Sequence, residues 1–316
     1  NATATYGHIS DWDVSQVTDM SEAFRDRATF NEDISGWDVS AVTNFSQIFF
    51  NASAFNQPIG DWNVSSATTL LGLFNNASAF NQPLGNWDVS SVINLRSTFK
   101  GATSFNQPIG NWNVSSATTL RETFHDASSF NQSIGDWNVS SVTSFLSTFN
   151  GASTFNQSLG NWDLSSARNL SGIFKGASTF NQPIGNWDVS LVSQMNEIFL
   201  WASAFNQPIG DWDVSSLTSM RNAFNGAISF NQPLGDWNVS SVTNINEAFR
   251  GATVFNQPID GWNLSSLTTL NRTFQDATSF DQDLSDWNVS AVTNFDLSFS
   301  GASALSDANK GEIHKT

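Results

Sequence analysis

Residues 56–80 read NQPIGDWNVSSATTLLGLFNNASAF, and two periodicities in this stretch decide the fold. Trp62 and Val64 alternate with polar Asp61, Asn63 and Ser65, the period-2 pattern of a short strand with one buried face. Ala67, Leu70, Leu73, Phe74 and Ala77 then recur at steps of three and four, which predicts a short helix with Ser65 or Ser66 as its N-cap. Asn76 stands where a helix end favours a residue tolerant of positive φ. Phe80 returns the chain to the core, and Asn81, Gln82, Pro83 and Gly85 spell a turn into the next strand.

The same pattern recurs at one fixed interval, from Trp62 to Trp87 to Trp112, and twelve of the thirteen tryptophans, from Trp12 to Trp287, keep that interval without a slip. A constant period of this length signals a solenoid, in which each coil buries its apolar face only against its neighbours. One coil buries about six large side chains at ~1.5–3 kcal/mol each, against ~1.5 kcal/mol of ordering per residue, so it does not stand alone. The expected fold class is α/β: a leucine-rich-repeat-like solenoid of about twelve coils, each a short strand, a short helix and a turn. Residues 1–316 would form one solenoid domain, with repeats over about 9–304 and 305–316 as a C-terminal capping segment that looks truncated. Helices packing ~10 Å apart opposite strands ~4.8 Å apart would curve the stack. Trp62, Trp87 and Trp112 should face the core with each indole N–H on a backbone carbonyl, and Asn56, Asn81 and Asn106 should form an amide ladder between coils.

Composition removes several functions. The net charge of -16, with only 12 Lys and Arg among 316 residues, repels a phosphate backbone, so nucleic acid is not an expected partner. No apolar run approaches the ~18–20 residues of a membrane span. Cysteine is absent, which excludes disulfides and thiolate chemistry. His8, His125 and His314 lie far apart in the sequence, no nucleophile and base converge, and neither catalysis nor a cofactor is expected. The position after each tryptophan alternates between Asp and Asn, as in Asp88, Asp163, Asn63 and Asn138; indifference to charge points to a hydrogen-bonding task and away from stacked calcium sites.

Fourteen Asn-x-Ser/Thr acceptors are present. Six follow the repeat tryptophan: Asn63, Asn113, Asn138, Asn238, Asn263 and Asn288. The repeated serine creates these automatically, so the scattered Asn1, Asn44, Asn51, Asn76, Asn131, Asn156, Asn169 and Asn271 are the better glycosylation candidates. Departures from the repeat are candidates for partner contact: Trp201 in a Gly/Asn/Asp column, with Leu191, Leu200, Phe50 and Ile228 at outward positions.

FNQPLGNWDVSSVINLRSTF (Phe80–Phe99) and FNQPIGDWDVSSLTSMRNAF (Phe205–Phe224) resemble the repeat of the BspA-like surface leucine-rich-repeat family, and the resemblance covers nearly the whole chain. YGHISDWDVSQVTDMSEAF at Tyr6–Phe24 resembles the opening coil of such arrays, and ALSDANKGEIHKT at Ala304–Thr316 is similar to their closing helical segment. The resemblance implies a secreted or cell-surface location and a non-enzymatic role in adhesion or in recognition of an extracellular protein or carbohydrate. Two alternatives remain: copies of the chain joined end to end or side by side in an extracellular filament, and, more remotely, ice binding by the threonine column that includes Thr43, Thr68 and Thr118.

Overall fold

The computed structural model describes residues 5–309, and its coils stack with one repeat of chain per layer. The expected strand and helix are both replaced. Among the described residues the coils hold isolated parallel bridges and runs of turns; a 3-10 helix at Ile9–Asp11 precedes them, and residues 307–309 begin a helical turn after them. The proposed cap over 305–316 extends, from 310 onward, outside the described residues.

The coil quoted above shows why. Val64 to Ala67 closes a turn through Ala67 N–H to Val64 O, 2.9 Å, and Thr69 forms parallel bridges to Asn44 below and Asn94 above. Along the segment that follows, the backbone donors alternate. Leu70, Gly72, Phe74 and Asn76 donate to the next coil, at Asn94, Arg96, Thr98 and Lys100 O, 2.7–3.0 Å. Leu73, Asn75 and Ala77 donate back three residues within the coil, at 3.0–3.1 Å. This turn ribbon needs positive φ at every fourth residue, as at Gly72 (φ 59°) and Asn76 (φ 58°). Sixteen non-glycine residues take φ of 54–61° at these two columns, from Glu22 to Leu297. A steric cost of ~1 kcal/mol or more at each is offset by pairing half of the ribbon's N–H groups with the next coil, which an α-helix would not do. The apolar spacing of three and four does mark one buried face, but consecutive i to i−3 turns satisfy it as well as a helix does.

Inside the stack the aromatic side chains form continuous files. Phe74 lies 3.9 Å from Phe80 of its own coil and 5.6 Å from Phe99 of the next, while Phe80 and Phe105 are 6.1 Å apart. Trp112 and Trp137 are parallel at 6.3 Å. No file opens toward the ~10 Å spacing of packed helices, so the helix-driven curvature loses its premise. Trp62, Trp87 and Trp112 are buried, and their indole N–H groups donate to Ile34, Ile59 and Leu84 O of the coil below at 2.9–3.2 Å. Asn56, Asn81 and Asn106 accept on Oδ1 from the backbone N–H of Asn81, Asn106 and Asn131, and from the Nε2 of the next coil's Gln82, Gln107 and Gln132. The amide oxygen thus joins each coil to the next twice.

Two measurements test this architecture. Far-UV circular dichroism should lack the paired helical minima, and Trp137→Ala should destabilise the chain by roughly 3–5 kcal/mol in chemical denaturation, since it removes a buried indole and leaves Ile109 O without its donor.

Candidate functional site

Because every coil closes on the same core, chemical variety is confined to the surface, and it concentrates on the turn ribbon. Eight of the twelve Lys and Arg residues, Arg25, Arg96, Lys100, Arg121, Lys175, Arg221, Arg250 and Arg272, lie on the ribbon. The Asp/Asn column after the tryptophans carries no Lys or Arg.

Most of the ribbon cations are ion-paired locally. Glu122 receives Lys100 Nζ at 2.9 Å and Arg121 Nε at 3.2 Å, and Glu197 receives Lys175 at 2.7 Å and Arg221 at 3.0 Å. Burial pushes the Glu122 carboxyl up, but the Lys100 hydrogen bond and charge, followed by Arg121, outweigh it and hold the group at about 2. His125 sits beside them with Nδ1 buried and no hydrogen-bond partner for it among the described residues. Burial lowers its pKa; Asp126, 3.3 Å away, opposes that effect, as does Glu122, while the Lys100 and Lys175 charges reinforce it. Among the described residues no three His, Cys, Asp or Glu side chains gather as a metal site requires.

In the column after the tryptophans, Asp and Asn do one job: Oδ1 accepts the backbone N–H of the serine two residues on, at 3.0 Å for Asp88 and Asp163 and 3.2 Å for Asn63 and Asn138. The serine hydroxyl and then the serine N–H hold the Asp88, Asp163 and Asp213 carboxyls below the usual range.

The glycosylation candidates differ in exposure. Asn63, Asn113, Asn138, Asn238, Asn263 and Asn288 are exposed. Asn44, Asn51, Asn131, Asn156, Asn169 and Asn271 are half-buried; Asn76 is exposed. The side-chain nitrogens of Asn44, Asn51, Asn76 and Asn271 donate to Asp19, Asp26, Asn51 and the Asp296 carbonyl, at 2.7–3.4 Å. Asn131 and Asn156 belong to the amide ladder, and Asn169 Oδ1 accepts Ser171 N–H. The expectation assumed an exposed helix face, and the described coils have no helix there. Asn1 lies outside the described residues.

The partner-contact candidates separate. Trp201 and Ile228 are exposed. Leu200 is not a surface residue: it is 5% exposed, although its column holds Lys100 and Lys175 in other coils. Phe50 is half-buried with the Arg25 guanidinium 4.8 Å from its ring centroid. Leu191 is exposed, but on the turn that precedes the ribbon, with the ribbon segment 194–200 between it and Trp201. Val254, an apolar departure from its column that the sequence also shows, is exposed on the same surface, whereas the ion-pair rungs were not foreseen. Their signal is a longer rhythm: Lys100, Lys175 and Arg250, and likewise Asp126, Trp201 and Asp276, stand three coils apart. The threonine hydroxyls expected to meet ice instead donate to backbone, as Thr68 does to Thr43 O and Thr118 to Ile93 O, both at 3.2 Å.

Stacked coils, a closed aromatic interior and a variable ribbon define a repeat protein. The chain belongs to the family described as "Mycoplasma protein of unknown function, DUF285", whose profile matches residues 1–108, 58–161, 118–227 and 202–311. Among solved structures it is similar to a leucine-rich repeat protein from Bacteroides ovatus, at 13% identity over 87% of this chain and 76% of that one, with a TM-score of 0.34. No curated protein gives a significant match.

Two outcomes follow from the site geometry. The neutral form of His125 is favoured in the folded state, so its contribution to stability is complete above the ordinary value of 6.5 and is lost as pH falls below it; His125→Asn should flatten that part of a stability-against-pH curve. Asn138→Asp should change stability by no more than ~0.5 kcal/mol, whereas Asn138→Ala, which removes the oxygen that caps Ser140, should cost about 1 kcal/mol in the same denaturation assay.

Proposed function

We propose that the chain is a non-enzymatic, leucine-rich-repeat-like recognition scaffold that works outside the cell, on a surface or secreted, and presents its ribbon to an extracellular protein or carbohydrate. One observation carries this reading: the aromatic files fill the interior from coil to coil, while charge, size and polarity change freely along the ribbon. A rod with this division has its chemical variety where a large partner can reach it and none inside, where a substrate would need a pocket. The resemblance of its repeats to BspA-like surface proteins supports the location. The charge of -16 speaks against nucleic acid as partner. Among the described residues no helix is long and apolar enough to cross a membrane, so attachment to a surface would use other parts or other molecules.

A second reading, end-to-end assembly into a filament, draws on one observation. Trp12 and Phe295, at opposite ends of the described stack, are 41% and 42% exposed, while their counterparts in other coils are buried.

Immunogold labelling of intact source cells tests the first reading. Label on the outside without permeabilisation is the expected result, and label that needs permeabilisation overturns it. Negative-stain images at rising protein concentration separate the two: discrete short rods favour the scaffold, and fibres that lengthen with concentration favour assembly.

A further inference from the structure

Trp201 occupies a backbone position that its side chain should avoid. Its φ is 60°, and the other eleven residues of its column are Gly, Asn or Asp, the types that tolerate this conformation. The intercoil bond Trp201 N–H to Asn225 O, 2.8 Å, and the local bond Ser203 N–H to Trp201 O, 2.9 Å, hold the strained residue in place. The ribbon imposes this conformation at every coil, so what singles out Trp201 is a large exposed side chain in a column of small ones.

The indole is fixed and open at once. It leans over Gly226 of the next coil, where an added Cβ would stand 2.6 Å from the ring, and Lys175 Nζ lies 5.8 Å from the ring centroid. Even so, Trp201 is 59% exposed. Two further departures continue the surface at one coil per step: Ile228 (48% exposed), two residues past Gly226, and Val254 (41% exposed), three residues past Gly251. The equivalent positions elsewhere hold Ser, Thr or Ala. Three exposed apolar side chains thus stand on three successive coils, at or just after the column of Trp201, Gly226 and Gly251.

We infer that Trp201, Ile228 and Val254 form a binding platform for a neutral saccharide, with a pyranose ring stacked on the indole. The inference rests on the scaffold reading above and names its ligand class. Several occupants are disfavoured by the surroundings. The nearby cations Lys175, Arg221 and Arg250 are each already ion-paired, the first two sharing Glu197 and the third on Glu247, so the platform offers no unpaired cation to a phosphate, a sulfate or an acidic peptide. The N–H groups of Gly226 and Gly251 already donate to Arg250 O and Gln275 O, at 2.8 and 2.7 Å, so an added peptide strand finds no donors there. Three side chains fall well short of the ~800 Å² that each partner, a second copy included, gives to a stable protein interface. A pyranose suits what remains. Its C–H face is apolar and matches an open indole in size, and its hydroxyls can meet the donors of Lys175 and Arg250 that their carboxylate partners leave over.

The test uses the whole chain, Trp201→Gly, and the double variant Ile228→Thr with Val254→Thr. All three substitutions restore residue types found at equivalent positions, and the glycine relieves the strained φ, so each variant should unfold at a midpoint equal to or above that of the parent. The probes are neutral hexasaccharides of β-1,3-linked glucose, β-1,4-linked glucose, N-acetylglucosamine and mannose, titrated to millimolar concentration by calorimetry and tryptophan fluorescence. At least one should bind the parent with a blue shift and protection from iodide quenching. Trp201→Gly should weaken that binding by about tenfold or more, equivalent to ~1.4 kcal/mol, and the double variant by less. No binding to the parent, or equal binding to Trp201→Gly, overturns the proposal, as does a change of oligomeric state in Trp201→Gly, which would make a second copy the occupant. None of these failures alters where immunogold label falls, so the scaffold reading stands or falls on its own.

Discussion

Alternation of backbone donors along the ribbon is the constraint on which the remaining structure depends. Each N–H that points to the next coil fixes the rise between layers, and each that folds back within its own coil keeps the ribbon short enough to close that coil within one repeat. With the rise fixed, identical rings fall on identical rings, and the files of Phe24, Phe49 and Phe74 and of Trp112 and Trp137 follow. Positive φ at sixteen non-glycine residues is the stereochemical consequence. The strain persists because fifteen of these residues donate their N–H to a carbonyl of the next coil.

The period, the number of coils and the inward aromatic face are all legible in the residues, because a tryptophan at one unvarying interval from Trp12 to Trp287 admits few other packings. The kind of local structure is not. Ala67, Leu70, Leu73, Phe74 and Ala77 present one apolar face whether the chain follows an α-helix or a run of turns. What separates the two is φ at residues such as Glu122, Ser147 and Glu197, and none of these types announces a left-handed conformation. The candidate surface divides in the same way. Trp201 is visible as a departure from its column, whereas the burial of Leu200 depends on ribbon geometry that an assumed helix conceals.

Core and ribbon have different freedoms because their residues answer to different neighbours. A core aromatic touches the coil below, the coil above and its own coil, so a change there disturbs three layers. A ribbon side chain meets a few polar neighbours, as Glu122 meets Ser97, Lys100 and Arg121. The rhythm of three coils shared by Lys100, Lys175 and Arg250 is superimposed on the basic repeat without altering it, since the files inside have no such period.

In a stack with nearest-neighbour coupling, a destabilising residue is felt mainly by its own coil and the two beside it, and stability adds up along the array. That arithmetic explains how a bulky residue can occupy a left-handed position in the coil that begins at Trp187. Trp201 strains one ribbon, while the bond it donates to Asn225 O and the closed Phe199–Phe205 pair beside it, 3.9 Å between centroids, keep the coil in register. A globular protein with one cooperative core would spread such strain through all its packing. Here it stays local, so the surface can hold conformations that serve contact with another molecule while the aromatic interior keeps the layers aligned.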